Sequence, residues 1–311
     1  MGEPIIVEAE RSGFVESVHL VDVAVVDRAG ALVASAGDPG TLCAFRSSAK
    51  PLQARVALEA GWKPPSDRSL AVACASHNGE RPHLAAARAT LAAAGVKEDA
   101  LRCPADVPAY PDASLGVTQR ARVYHNCSGK HASMLAVSAL NGWPLASYRD
   151  RAHPLQGRNI ERMRALLGDT SILVDGCGVP TFTAPLHVLA RAFATIDDGG
   201  PEQEAMRAHP FLVAGSERLD TDLMTVQPRV LIKAGAEGLA CFTGGGYSIA
   251  TKSRDGFASR SRGPAVMLVL RELGLIDDAQ REKLAVHEEP PVLGGGEPVG
   301  ACRARGSLSR V

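Results

Sequence analysis

The segment Arg46-Ser47-Ser48-Ala49-Lys50-Pro51 sets a hydroxyl and an amine three residues apart, in the pattern S-x-x-K from Ser47 to Lys50. Proline suits the first turn of a helix, where backbone N–H groups have no intrahelical partner. The spacing therefore predicts Ser47 and Lys50 at a helix N-terminus. Residues i and i+3 share a helix face, so the Lys50 amine can reach the Ser47 hydroxyl. A serine hydroxyl is a weak nucleophile until a base takes its proton. Lysine supplies that base when burial or a second cation favours its neutral form. Backbone N–H groups and the dipole at the helix start would hold an oxyanion. Alone, the motif more often marks a capping serine followed by a solvent-facing lysine.

Two companions shift that balance. Serine β-lactamases and penicillin-binding proteins combine S-x-x-K with a second serine motif and a lysine on a late strand. Here Cys74-Ala75-Ser76-His77-Asn78-Gly79 supplies Ser76 and Asn78, and Ile249-Ala250-Thr251-Lys252 ends in a lysine within a Gly-rich hairpin. If the chain ends pair in one sheet, Lys252 lies beside the first strands. A second cation there would keep Lys50 neutral, and Ser76 would relay protons. The plain alternatives are a turn-forming Ser76 before a helix and an edge-strand Lys252. The three motifs together, in this order, favour catalysis.

A second constellation joins Asn126-Cys127-Ser128-Gly129-Lys130-His131 to Asp175-Gly176-Cys177-Gly178-Val179-Pro180. Each puts a cysteine beside glycine in a turn expected to precede an apolar helix. Two thiolates and a nitrogen donor would make a metal site with room for water. By chemistry alone His131 is the expected third ligand, since the Lys130 amine would have to be neutral. Without a C-x-x-C pair, two structural cysteines remain the competing reading.

The elements that must position these residues are legible in outline. Residues 14–36 read as a β-hairpin, and 238–243 with 247–253 as a second one around Gly244-Gly245-Gly246. Between them, 51–62, 81–95, 129–142, 159–168 and 182–195 carry apolar residues at helical spacing, as does 264–274 later. Residues 288–300 read as a loop, and Gly294-Gly295-Gly296 lacks the strand–loop–helix context of a phosphate loop. Strands at both ends with helices between predict an α+β fold. The expected arrangement is one catalytic domain over 1–311, with an antiparallel sheet from about 1–45 and 229–311 and a helical region over about 46–228.

Composition narrows the function classes. The 311 residues carry 34 Lys+Arg and 34 Asp+Glu, a formal net charge of zero. That balance argues against a nucleic-acid partner and against anionic membranes. The acidic N-terminal stretch MGEPIIVEAER has no apolar signal core, and no apolar run is long enough to span a bilayer. Seven cysteines, an odd number in a long chain, point to a reducing, cytoplasmic compartment.

The segments FRSSAKPLQ (45–53), CASHNGE (74–80), HNCSGKHASML (125–135), VDGCGVP (174–180), KAGAEG (233–238) and KSRDG (252–256) resemble, in order, the signature segments of the rhizobial-type (class 3) L-asparaginases. HNCSGKH and DGCGVP are the most specific of them. The resemblance implies a fold similar to serine β-lactamases and glutaminases, and a homodimer. It implies hydrolysis of L-asparagine to L-aspartate and ammonia through two Ser–Lys pairs, Ser47 with Lys50 and Ser76 with Lys252. It also implies zinc held by Cys127, Lys130, Cys177 and water, beside the substrate pocket and not itself the catalyst. Arg46, Asn78 and Asp175 fall at substrate-side or zinc-adjacent positions. Glutaminase or β-lactam hydrolysis on the same scaffold is the rival enzymatic reading. A zinc-dependent protein that binds amino acids without turnover is the non-enzymatic one.

Overall fold

The computed structural model describes residues 2–311. It is mixed α and β, with an antiparallel sheet, and the chain divides into two compact units. The first comprises 1–48, 184–195 and 222–311; the second comprises 49–183 and 196–221.

The first unit is built on the sheet. Its strands run in the order Pro291–Gly294, Glu297–Arg305, Ile5–Arg11, Phe14–Asp27, Tyr247–Ser253, Leu239–Gly244 and Leu231–Ala234. Leu32–Ala36 also pairs with Phe14–Asp27, and Ser309–Arg310 extends from Leu32–Ala36. The two ends of the chain thus meet in one sheet, as the strand pattern predicted. Phe14–Asp27 is its spine: the first half pairs with Ile5–Arg11, and the second with Tyr247–Ser253 in a register that sets Asp22 opposite Lys252. Its residues 21–26 and the whole of Leu239–Gly244 are buried without alternation, the pattern of strands covered on both faces. The helices Leu186–Ala194 and Ala258–Glu272 pack on the sheet through Leu186, Leu189 and Phe193, and through Val266, Met267 and Leu270.

Two expectations need correction here. Residues 288–300 are not a loop: Pro291–Gly294 and Glu297–Arg305 form a hairpin on the sheet. Pro291 opens an edge strand, where a missing N–H costs little. Gly295 and Gly296, at φ +62° and +92°, make the tight turn that needs two positive φ values. The 182–195 segment is not helical throughout. Pro180–Pro185 is a strand and the helix starts at Leu186, because Pro185 keeps the preceding residue extended.

The second unit is helical, with Lys50–Glu59, Asp67–Ala73, Arg81–Ala93, Ser128–Leu140, Pro154–Leu167 and Pro201–Ala208 as its main elements. Four of these, all but the second and fourth, carry proline in the first turn. Ser128–Leu140 is buried all round from Ser128 to Ser138 and packs against Asp67–Ala73 and Arg81–Ala93. The short strand Ile172–Val174 pairs with residues 180–182. Cys177 therefore lies in a turn between strands, and not before a helix as expected. Among the described residues no helix is long and apolar enough to cross a membrane.

Candidate active site

Arg46–Ala49 form one 3-10 turn that runs into the helix Lys50–Glu59. The capping position is Ala49 and no side chain caps the helix, so Ser47 is not a capping serine. Arg46, immediately before it, is held at φ +46°, a left-handed conformation that costs a side-chain-bearing residue energy. Its Nη1 lies 4.0 Å from Glu237 Oε1. Of the two adjacent serines, Ser48 is fully buried and donates through Oγ to the Lys233 carbonyl at 2.8 Å. Ser47 is half-buried.

Lys50 is not solvent-facing: its exposure is 0%. Its Nζ donates to the Ala75 carbonyl at 2.5 Å and to Ser76 Oγ at 2.9 Å. Both acceptors are uncharged oxygens. Ser76 belongs to a segment tied to its neighbours by backbone hydrogen bonds. Ser76 N bonds Val213 O at 3.0 Å, His77 N bonds Asn126 O at 3.1 Å, and Asn78 N bonds Ala214 O at 2.9 Å. Asn78 receives Arg218 Nη1 on Oδ1 at 2.8 Å and donates through Nδ2 to Ser216 O at 2.9 Å. His77 Nδ1 accepts Gly79 N–H at 3.1 Å, so the ring proton sits on Nε2, 3.0 Å from Ser128 Oγ. Burial drives the His77 pKa well down, with His83 and Lys50 adding to the effect.

Lys252 lies in the first unit. Its strand is paired on both sides, with Asp22 and Leu239 as register partners, which removes the edge-strand reading. Its Nζ donates to the Ser253 carbonyl. Burial holds its pKa below the ordinary lysine value, against the opposing pull of Cys43, Glu237, Asp255 and Asp22. The turn after it is tied down. Arg254 makes a two-point pair with buried Asp22 at 2.9 and 2.7 Å, and Asp255 bonds His19 at 2.5 Å and Ser253 Oγ at 2.7 Å.

Cys127, Lys130, Asp175 and Cys177 come together in the second unit, all buried. Lys130 Nζ is 3.1 Å from Cys177 Sγ, and Asp175 Oδ2 is 3.7 Å from that sulfur and 4.0 Å from the amine. Cys127 Sγ donates to Asn126 Oδ1 at 3.0 Å. The proximity of the two sulfurs pulls the Cys177 thiol strongly toward thiolate and pushes the Cys127 thiol up; Lys130 and His131 add to the effect on Cys177. Burial opposes the charge on Lys130, but Cys177, Cys127 and Asp175 outweigh it and hold its proton. His131 is neutral, pushed down to about 4 by burial. Its Nδ1 is 2.5 Å from Tyr148 OH, whose oxygen already accepts Arg102 N–H at 2.8 Å. Its Nε2 makes no hydrogen bond of normal geometry, although Cys177 is close enough to act on the ring. Among the described residues no group of three or more His, Cys, Asp or Glu is arranged for a metal; a site here needs Lys130 to complete the two thiols.

Sequence reasoning missed His77 and Arg218. His77 had a local cue, lying between Ser76 and Asn78. Arg218 had none, being separated from Asn78 by 140 positions. No curated protein matches the chain. The family described as L-asparaginase II matches residues 7–304, nearly the full length. The chain therefore belongs to the L-asparaginase II family, the rhizobial-type (class 3) asparaginases whose segments it resembles.

Proposed function

We propose that this chain hydrolyses the side-chain amide of L-asparagine by Ser–Lys chemistry on a serine β-lactamase-like and glutaminase-like fold, as a cytoplasmic homodimer whose single catalytic domain spans the whole chain. Family membership supports the amidohydrolase activity. The observation that carries the mechanism is Lys50, wholly buried and bonded to Ser76 Oγ at 2.9 Å. A buried amine facing neutral oxygens has no structural ion pair to account for it, and taking up a hydroxyl proton gives it a role.

In the proposed sequence Ser47 Oγ attacks the amide carbon and its proton passes to Lys50. The C–N bond breaks, and the nitrogen leaves as ammonia after receiving a proton through Ser76, with Lys252 assisting. Water then attacks the acyl ester, restoring Ser47 and freeing aspartate. Arg46 and Asn78 orient the substrate, and Asp175 fixes the Lys130–Cys177 pair.

The cysteine cluster fits zinc. Cys177 is already driven toward thiolate, Cys127 is close enough to act on it, and Lys130 points its nitrogen at the same sulfur. Cys127 and Lys130 would each lose a proton to complete a two-sulfur, one-nitrogen set with a fourth position for water. His131, its Nδ1 2.5 Å from Tyr148 OH, is the alternative nitrogen donor. Bound zinc would supply a fixed positive charge beside the substrate.

Ammonia release measured side by side with L-asparagine, L-glutamine and a β-lactam tests the reading, with β-lactam opening followed by absorbance. Turnover of asparagine well above the other two is expected. Preference for glutamine or the β-lactam would move the enzyme to the rival activity. Binding without turnover would make it an amino-acid-binding protein.

A further inference from the structure

We propose that Arg218 anchors the α-carboxylate of the substrate, from a turn that the fold clamps over the Ser76–Asn78 segment. This rests on the amidohydrolase reading above and adds a residue to it that no motif assigned. Asn78 lies two residues from Ser76, and Arg218 Nη1 reaches Asn78 Oδ1 at 2.8 Å. The guanidinium is thus tied to the same segment that presents Ser76 Oγ to Lys50.

An arginine has five N–H donors in a planar fork, and this one meets a neutral amide oxygen. Among the described residues no carboxylate lies within ion-pair distance of Arg218. Glu80, the acidic group of the facing segment, is taken up elsewhere: it accepts Ser216 N–H at 2.9 Å and Ser216 Oγ–H at 2.8 Å. Half-exposed, with a charge answered only by an amide, Arg218 matches a planar carboxylate in geometry and sign.

The turn carrying it needs a glycine at one position and strains its neighbour at another. Gly215 sits at φ +111°, and a Cβ there would fall 2.4 Å from Glu80 Oε1. Glu217, which bears a side chain, is left-handed at φ +58°. Such conformations persist where surrounding bonds over-determine them, and they cluster at ligand clamps. The bonds here are those of Glu80 to Ser216, Asn78 to Ser216 O, and Asn78 N to Ala214 O. They fix Arg218 before substrate arrives.

The test compares L-asparagine with 3-aminopropanamide, which is asparagine without its α-carboxylate, in wild type, Arg218→Met and Arg218→Lys. For Arg218→Met, KM for asparagine should rise on the order of 10- to 100-fold, the loss of a charge-assisted contact, with kcat within a few-fold. Its kcat/KM for 3-aminopropanamide should match wild type. Arg218→Lys, which keeps the charge and loses the fork, should fall between. A purely structural role would depress both substrates alike, and that outcome overturns the proposal, as does an unchanged KM. If wild type releases no ammonia, the amidohydrolase reading fails on its own. The anchor is then read from calorimetric binding of L-aspartate: at least tenfold weaker binding in Arg218→Met upholds it, and equal affinity overturns it.

Discussion

Two serines stand side by side at positions 47 and 48, and their surroundings separate their roles. Ser48 Oγ is spent on the Lys233 carbonyl inside the first unit, whereas Ser47 is half-buried and follows a strained Arg46. The S-x-x-K spacing singled out Ser47 from sequence alone. It gave no sign that Lys50 would settle on Ser76, because that contact joins residues 26 positions apart. Arginine keeps its proton at any pH an enzyme meets, so Lys50→Arg should lower turnover by at least about 100-fold, the range that acid–base groups contribute. Near-normal ammonia release from that variant would remove Lys50 as the base. Lys252 carries a pH prediction. Burial favours its neutral form, so turnover should climb as pH rises through its lowered pKa, and a flat profile would deny it a proton-transfer role.

At the scale of elements, the helix that Cys127 caps shows what a motif glycine is for. Gly129 faces Asp67–Ala73 so closely that a Cβ would fall 2.1 Å from Val72 Cγ1 and 2.3 Å from the Val72 carbonyl oxygen. Gly129→Ala should therefore destabilise the protein by about 1–3 kcal/mol and weaken retention of zinc by Cys127 and Lys130. A thermal melt and metal content equal to wild type would show that the two helices can part at no cost. Zinc lost in His131→Ala but kept in Lys130→Met would restore histidine as the third ligand. The hairpins around residues 14–36 and 238–253 were legible because valine-rich runs flank obvious turn residues. Most helices were legible from periodicity and their first-turn prolines. The hairpin at 291–305 was not, because Pro291, Pro298 and the glycines read locally as a loop, and only their pairing with each other and of Glu297–Arg305 with Ile5–Arg11 makes them strands. The strand at 180–185 was hidden for a similar reason, its short run being fused to a helix. For the site, residue types and turns were readable, but partners such as Arg218 on Asn78 depend on tertiary contacts that no local spacing encodes.

For the whole molecule, acid should be more damaging than alkali. His77 and His83 in the second unit are held below their ordinary value of 6.5, in each case chiefly by burial. Below that value the unfolded chain takes up protons that the folded state refuses. Stability should be intact above pH 6.5 and decline as pH falls from there toward the lowered folded values. Asp198 and Asp255 are held below the ordinary 3.8, so they contribute only in stronger acid. Melts from pH 8 to 5 on the wild type and a His83→Gln variant would check this: the wild-type midpoint should drop on the acid side, and the variant should drop less. An equal slope in both would place the acid sensitivity elsewhere.

The central claim is that a member of the L-asparaginase II family uses Ser47 as its nucleophile. It is tested most directly by ammonia release from L-asparagine in wild type and Ser47→Ala at matched folded concentration, with circular dichroism confirming the fold. The account predicts a loss of many powers of ten in Ser47→Ala with secondary structure unchanged. Near-wild-type ammonia release from Ser47→Ala would contradict it.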